Sequence, residues 1–136
     1  MSITYTASNK ILDKTFGASA FTPPTSYWVG LSTTTLNADG TGATEPVANG
    51  YARVQVTNTD KTNWTSAASG ALTNATAVTF PESSGSWGTI TTVVLYDAQT
   101  TGNAYFFDTL TPSRAVAAST TVVFAIGAIT ISMTNS

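Results

Sequence analysis

Apolar and polar positions change their period along this chain. Near the start, Ser8-Asn9-Lys10-Ile11-Leu12-Asp13-Lys14-Thr15-Phe16 places apolar residues at 11, 12 and 16, the spacing of one helical face. Ser8 is placed to cap that helix and Gly17 to stop it. The Thr22-Pro23-Pro24-Thr25 step ends any helix, and from there the period falls to two. Ser26-Tyr27-Trp28-Val29-Gly30-Leu31-Ser32 reads as a strand of aromatic and branched residues. In Tyr51-Ala52-Arg53-Val54-Gln55-Val56-Thr57 the alternation turns Ala52, Val54 and Val56 inward and Arg53, Gln55 and Thr57 toward water.

Further strands follow at 77–80, 87–96, 103–110, 120–126 and 128–134, the last two being separate strands or one strand bent at Gly127. Asp97-Ala98-Gln99-Thr100-Thr101-Gly102 joins two of them as a hairpin loop, and Pro112 marks the end of the second. In the last strand Ile129, Ile131 and Met133 are expected to face inward. Residues 33–50 carry no period, only the turn signals of Asn37-Ala38-Asp39-Gly40-Thr41-Gly42 and Pro46, and read as a long exposed loop. Residues 58–69 are polar and loop-like around a lone Trp64. One short helix and seven or eight short strands predict an all-β protein, an antiparallel β-sandwich of jelly-roll-like type. The expected organisation is an N-terminal arm with the helix over 1–24 and a single sandwich domain over 25–136.

Composition narrows the chemistry. The chain has 136 residues, enough to bury about two-thirds of its unfolded surface in one domain. It contains 28 Thr and 14 Ser but only 12 charged residues, with a formal net charge of −2. On alternating strands those hydroxyls are expected at outward positions. With no His and no Cys, a Ser–His–Asp triad, a Cys–His pair, an ordinary zinc site and any disulfide are excluded. Five scattered Lys and Arg cannot neutralise a run of phosphates, so no nucleic-acid partner is expected. The longest apolar stretch, 122–133, is too short for a membrane span, and the N-terminus shows neither the basic start nor the apolar run of a signal peptide.

The remaining candidate sites compete with plainer uses of the same residues. Asn37, Asp39 and Gly42, with Glu45 beyond, faintly resemble a calcium loop but supply too few acidic ligands, so a tight turn is expected and no metal. Asp97 and Asp108 flank one predicted hairpin and form the one carboxylate pair to weigh for glycoside hydrolysis; Asp97 already serves the turn. Trp28 and Trp87 lie within apolar strands and read as core, whereas Trp64 sits in a polar loop as an edge anchor, an interface residue or a sugar platform. Asn63-Trp64-Thr65 and Asn74-Ala75-Thr76 match the glycosylation pattern, which carries no weight without a secretion signal. Arg53 and Arg114 read as solvated or paired surface residues. Trp64, Asp39, Glu45 and Arg53 are the candidate interface or glycan contacts, and no catalytic residue or cofactor is expected.

Several motifs in order carry a resemblance: Asn9-Lys10-Ile11-Leu12-Asp13, Tyr27-Trp28-Val29-Gly30-Leu31-Ser32-Thr33-Thr34, the 37–42 turn with Glu45-Pro46, and Gly50-Tyr51-Ala52-Arg53-Val54. Phe80-Pro81, Gly85-Ser86-Trp87-Gly88-Thr89-Ile90 and Leu95-Tyr96-Asp97-Ala98 with Gly102-Asn103 continue it. The chain resembles a family of small tailed-bacteriophage virion proteins, often labelled tail-fibre or minor tail proteins; small sandwiches of this sort also decorate capsids. The resemblance implies a non-enzymatic structural protein of the virion, assembled in the host cytoplasm, partnered by major capsid or tail proteins and by itself as a homotrimer. A compact module without a fibrous shaft favours a capsid decoration (cement) protein that stabilises the assembled shell. A tail or tail-fibre component that contacts host glycan is the alternative.

Overall fold

Val93, Val94 and the branched residues around them build the spine of the molecule. In the computed structural model, which describes residues 1–59 and 62–133, β6 (Gly88–Tyr96) pairs antiparallel with β7 (Ala104–Val116). The Asp97 carboxylate closes the connecting loop by accepting the Asn103 N–H at 2.6 Å. β1 (Ser2–Ile3) lies outside β7, and β2 (Ser26–Ser32) and β3 (Val54–Thr57) continue beyond β6. The sheet order is β1-β7-β6-β2-β3, every pairing antiparallel. Residue 134, the expected end of the last strand, and residues 60 and 61 of the polar 58–69 segment lie outside the described residues.

The opposing layer consists of two short antiparallel ladders. β4 (Ala71–Thr73) pairs with β9 (Thr130–Ser132), and β5 (Val78–Thr79) with β8 (Val123–Phe124). Val29, Leu31, Val93, Leu95 and Phe106 of the main sheet meet Val78, Phe80 and Ile129 in one buried core, with Trp87 at its edge. The fold is thus all-β and antiparallel with one helix, as expected. Asn74 holds the ladders together: its buried amide donates to Thr76 O (2.8 Å) and Ala125 O (2.9 Å) and accepts the Ile129 N–H (2.9 Å). That burial also removes Asn74 from reach of any glycosylation.

Local features depart from the sequence expectations for identifiable reasons. The helix α1 (Tyr5–Phe16) begins before Ser8, because Thr4 caps it by accepting the Ala7 N–H. The same hydroxyl donates to Ala104 O at 2.7 Å, so the cap anchors the helix to β7; Gly17, at φ 79°, stops it. β7 continues through Pro112: Ile90 pairs with Arg114 but Thr92 with Thr109, leaving a bulge in which a residue without an N–H costs no ladder bond. Ala52 is exposed and precedes β3, and Met133 is 56% exposed rather than inward. Thr4, Ser32, Ser83 and Thr92 are buried, so part of the hydroxyl excess works inside the molecule.

The largest departure concerns residues 33–50. They fold back over the second face of the sheet, where Leu36 packs on Val94, Tyr96 and Ala104. Ser32 Oγ accepts the Thr44 and Thr34 N–H groups at 2.9 and 3.1 Å, and Thr34 Oγ1 donates to Gly42 O at 2.6 Å. Thr92 to Tyr96 are consequently buried on both faces. Asn74→Ala leaves the buried Ile129 N–H and two part-buried carbonyls without their partner and is expected to cost about 2–3 kcal/mol in chemical denaturation; a loss below about 1 kcal/mol would show that Asn74 does not hold the ladders.

Candidate functional site

Gly30 on β2 leaves a gap on the second face, and the charged groups of the neighbourhood fill it. A Cβ there would stand 2.8 Å from Tyr96 Cε2 and 2.9 Å from Glu45 Oε1. Arg53 lies over the Tyr96 ring with its guanidinium carbon 3.4 Å from the centroid, a stacked cation–π contact. Its Nε and Nη2 donate to the two Glu45 oxygens at 2.9 and 2.5 Å, a bidentate fork. Nη1 donates to Ala98 O and Thr101 O, at 2.7 and 2.9 Å, in the β6–β7 loop. Glu45 also accepts the Tyr51 hydroxyl at 2.7 Å, and that hydroxyl accepts the Leu31 N–H at 2.8 Å.

The Arg53 side chain is only 6% exposed, so it does not face water as the alternation predicts. The 33–50 segment covers it. Burial raises the Tyr51 hydroxyl and pushes that of Tyr96 up to about 12, with nearby Glu45 adding to both. Four of the five Arg53 N–H groups and both Glu45 oxygens are bonded within the chain, and the cluster ties three segments together.

Trp64 lies elsewhere, at a cleft of about 700 Å³ between the helix side of the main sheet and the β4–β9 ladder. A backbone bridge to Asn74 positions it, and Thr65 N–H bonds Thr73 O at 2.9 Å alongside β4. Phe21, Tyr27 and Tyr105 form the facing wall, the two tyrosine rings meeting edge to face at 5.5 Å. Thr65 and Ser66 also line the cleft, and none of the described lining residues is charged. Burial, then Tyr105 and Asp97, push the Tyr27 hydroxyl up to about 12. Trp64 was visible in the sequence as an aromatic among polar residues; Phe21 and Tyr105 were not, because they come from distant segments.

The structure thus joins Glu45 to Arg53 and separates both from Trp64 and Asp39. Asp39 accepts the backbone N–H and hydroxyl of Thr41 at 3.0 and 2.7 Å, and these bonds hold its carboxyl below its ordinary range. Among the described residues, no group of three or more acidic, His or Cys side chains converges to hold a metal. Asp108 pairs with Val93, four residues before Asp97 on β6, about 13 Å along the strand.

An antiparallel β frame with one helix and one enclosed ion pair defines a small all-β module. The family model described as podophage GP4 fiber I protein gp80 matches residues 2–132. The chain belongs to that family; it is a structural protein of a tailed-phage virion and resides in the virion. No curated protein matches the chain.

Two outcomes follow from this geometry. Arg53→Ala leaves a covered Glu45 carboxylate and two carbonyls unpartnered, so denaturant titration is expected to show a loss of about 3–5 kcal/mol. Arg53→Lys, which keeps charge but cannot fork, is expected to fall between. An Arg53→Ala chain as stable as the parent would refute the lock. The second outcome concerns alkaline pH. Tyr27 and Tyr96 keep their protons to about 12 when folded, against 10.0 for an ordinary tyrosine. The unfolded chain therefore releases protons first, and stability present below pH 10 is lost as pH rises toward 12. Ultraviolet titration is expected to show tyrosinate appearing together with unfolding; ionisation of all tyrosines near pH 10 without unfolding contradicts this.

Proposed function

We propose that this chain is a non-enzymatic component of the tail fibre, assembled as an oligomer, with a trimer the expected order, against other tail proteins. The observation that carries this reading is the match to a fibre protein family over residues 2–132. The internal engagement of Glu45, Arg53, Asp39 and Asp97 supports the non-enzymatic part. The same family description weighs against the capsid-decoration preference drawn from the sequence. One observation still favours decoration: the described residues build one unit around one main sheet, with no fibrous shaft.

Within the fibre reading, the Trp64 cleft is the proposed host contact, suited to a neutral glycan. Trp64 offers an aromatic face, Thr65 and Ser66 carry hydroxyls, and no charged residue lines the cleft among the described residues. Cryo-electron microscopy of the whole particle tests the location. Density for this fold in a few copies at the tail is the expected result; a lattice of copies over the shell would instead establish the decoration role. For the glycan contact, Trp64→Ala phage is expected to adsorb about tenfold more slowly. Unchanged adsorption would remove that part alone.

A further inference from the structure

Asn58 carries the one buried side-chain polar atom among the described residues that has no hydrogen-bond partner, its Oδ1. Asn63 and Asn74, on neighbouring segments, use both ends of their amides. Turning the Asn58 amide over does not relieve the shortfall. Its Nδ2 donates to Pro24 O at 2.7 Å, and a turned amide would set two acceptors against each other. The backbone is held as well, with the Asn58 N–H donating to Thr25 O at 3.0 Å. A buried acceptor without a donor is costly to the folded chain. Asn58 lines the Trp64 cleft.

The surroundings limit what can supply the missing donor. A hydrocarbon occupant is excluded, because it leaves Oδ1 unpaired. None of the described lining residues is charged, so an ionic group entering the cleft would lose water and gain no counter-charge. An extended peptide adds to an open strand edge, and β4 offers none. β9 bonds one side of it; on the other, Thr65 bonds Thr73, and bridges join Ala68 to Ala71 and Trp64 to Asn74. A neutral ring bearing hydroxyls meets each of these conditions, and its C–H face suits the aromatic face of Trp64.

We infer that Asn58 Oδ1 is the specificity-determining acceptor of this cleft, taking a hydrogen bond from one hydroxyl of a neutral sugar ring stacked against Trp64. This rests on the reading of the cleft as a glycan contact, and it adds the atom by which one sugar is told from another. Oδ1 is shielded from water in the chain by itself, so reaching it takes a small side-chain adjustment at the cleft wall, as is common on binding. A sugar with a hydroxyl in the right place repairs the unpaired acceptor. One that lacks it leaves the acceptor buried and unpaired, and is rejected.

Nuclear magnetic resonance titration of the intact, nitrogen-labelled chain tests this. The probes are neutral methyl pyranosides of gluco, galacto, manno and rhamno form, with singly deoxygenated versions of whichever binds. At least one probe is expected to shift both the Trp64 indole N–H and the Asn58 side-chain amide signals. Removing one particular hydroxyl is expected to weaken its binding about tenfold. In Asn58→Leu, the complete and the deoxygenated sugar are expected to bind within about twofold of each other. If Trp64 responds but every deoxygenated sugar binds the parent chain as well as the complete one, the role of Asn58 is overturned. The glycan contact then stands, and Oδ1 belongs to a bound water. No response of Trp64 to any probe would overturn both. Should Asn58→Leu misfold, the deoxygenated sugars still decide, because they alter the ligand and leave the protein intact.

Discussion

The fork between Arg53 and Glu45 is the contact on which the arrangement of this protein turns. A charged pair taken from water is stabilising only when its geometry is good and its remaining hydrogen-bonding capacity is met. Here both conditions hold, because Tyr51, Tyr96 and two carbonyls of the β6–β7 loop surround the pair. The consequence reaches well beyond one ion pair. Glu45 belongs to the 33–50 segment, Arg53 to the approach to β3, and Ala98 and Thr101 to the hairpin end of the spine. Joining them fastens a covering layer to a sheet whose other face already packs on the core. Gly30 is the enabling residue, since any side chain there would meet the Tyr96 ring and the Glu45 carboxylate.

The hydroxyl-rich composition acquires a mechanism from the same region. Ser32 and Thr34 bond the backbone of the 33–50 segment, Thr4 bonds both the helix start and β7, and Ser83 donates to Ala117 O at 2.5 Å while accepting the Thr120 N–H at 3.1 Å. Short hydroxyl side chains satisfy backbone groups in tight places at little cost in conformational entropy. A chain without disulfides and with few charges can hold irregular segments in this way. For a virion protein, the result is a module held together by internal hydroxyl bonds and by one enclosed ion pair, Arg53–Glu45.

Much of the frame is legible in the alternation of Val, Thr and aromatic residues. β2, β6 and the Asp97–Gly102 turn stand where the pattern places them, and Trp87 is buried as its strand context implies. Pro112 misled because a missing N–H reads as a stop, while the bulge that accommodates it depends on register with Thr91 and has no local signature. Thr4 was passed over as a cap because its second partner, Ala104, lies a hundred residues away. Period-two reasoning correctly turned Arg53 away from the main core, but it assumed water on the other side. The signals of a covered face were few: a glycine inside a strand, Leu36 in a polar stretch, and one Glu and one Arg close together in a charge-poor chain. The Trp64 cleft was half visible, since its partners converge only in three dimensions.

The central claim is that residues 33–50 form a folded layer locked to the sheet. Amide hydrogen exchange on the intact chain tests it most directly. The Thr33, Asn37 and Thr44 amides, bonded to Thr44 O, Thr41 O and Ser32 Oγ, are predicted to exchange as slowly as those of β2 and β6. Exchange at the rate of an open, solvated loop, with the strands still protected, would contradict the account.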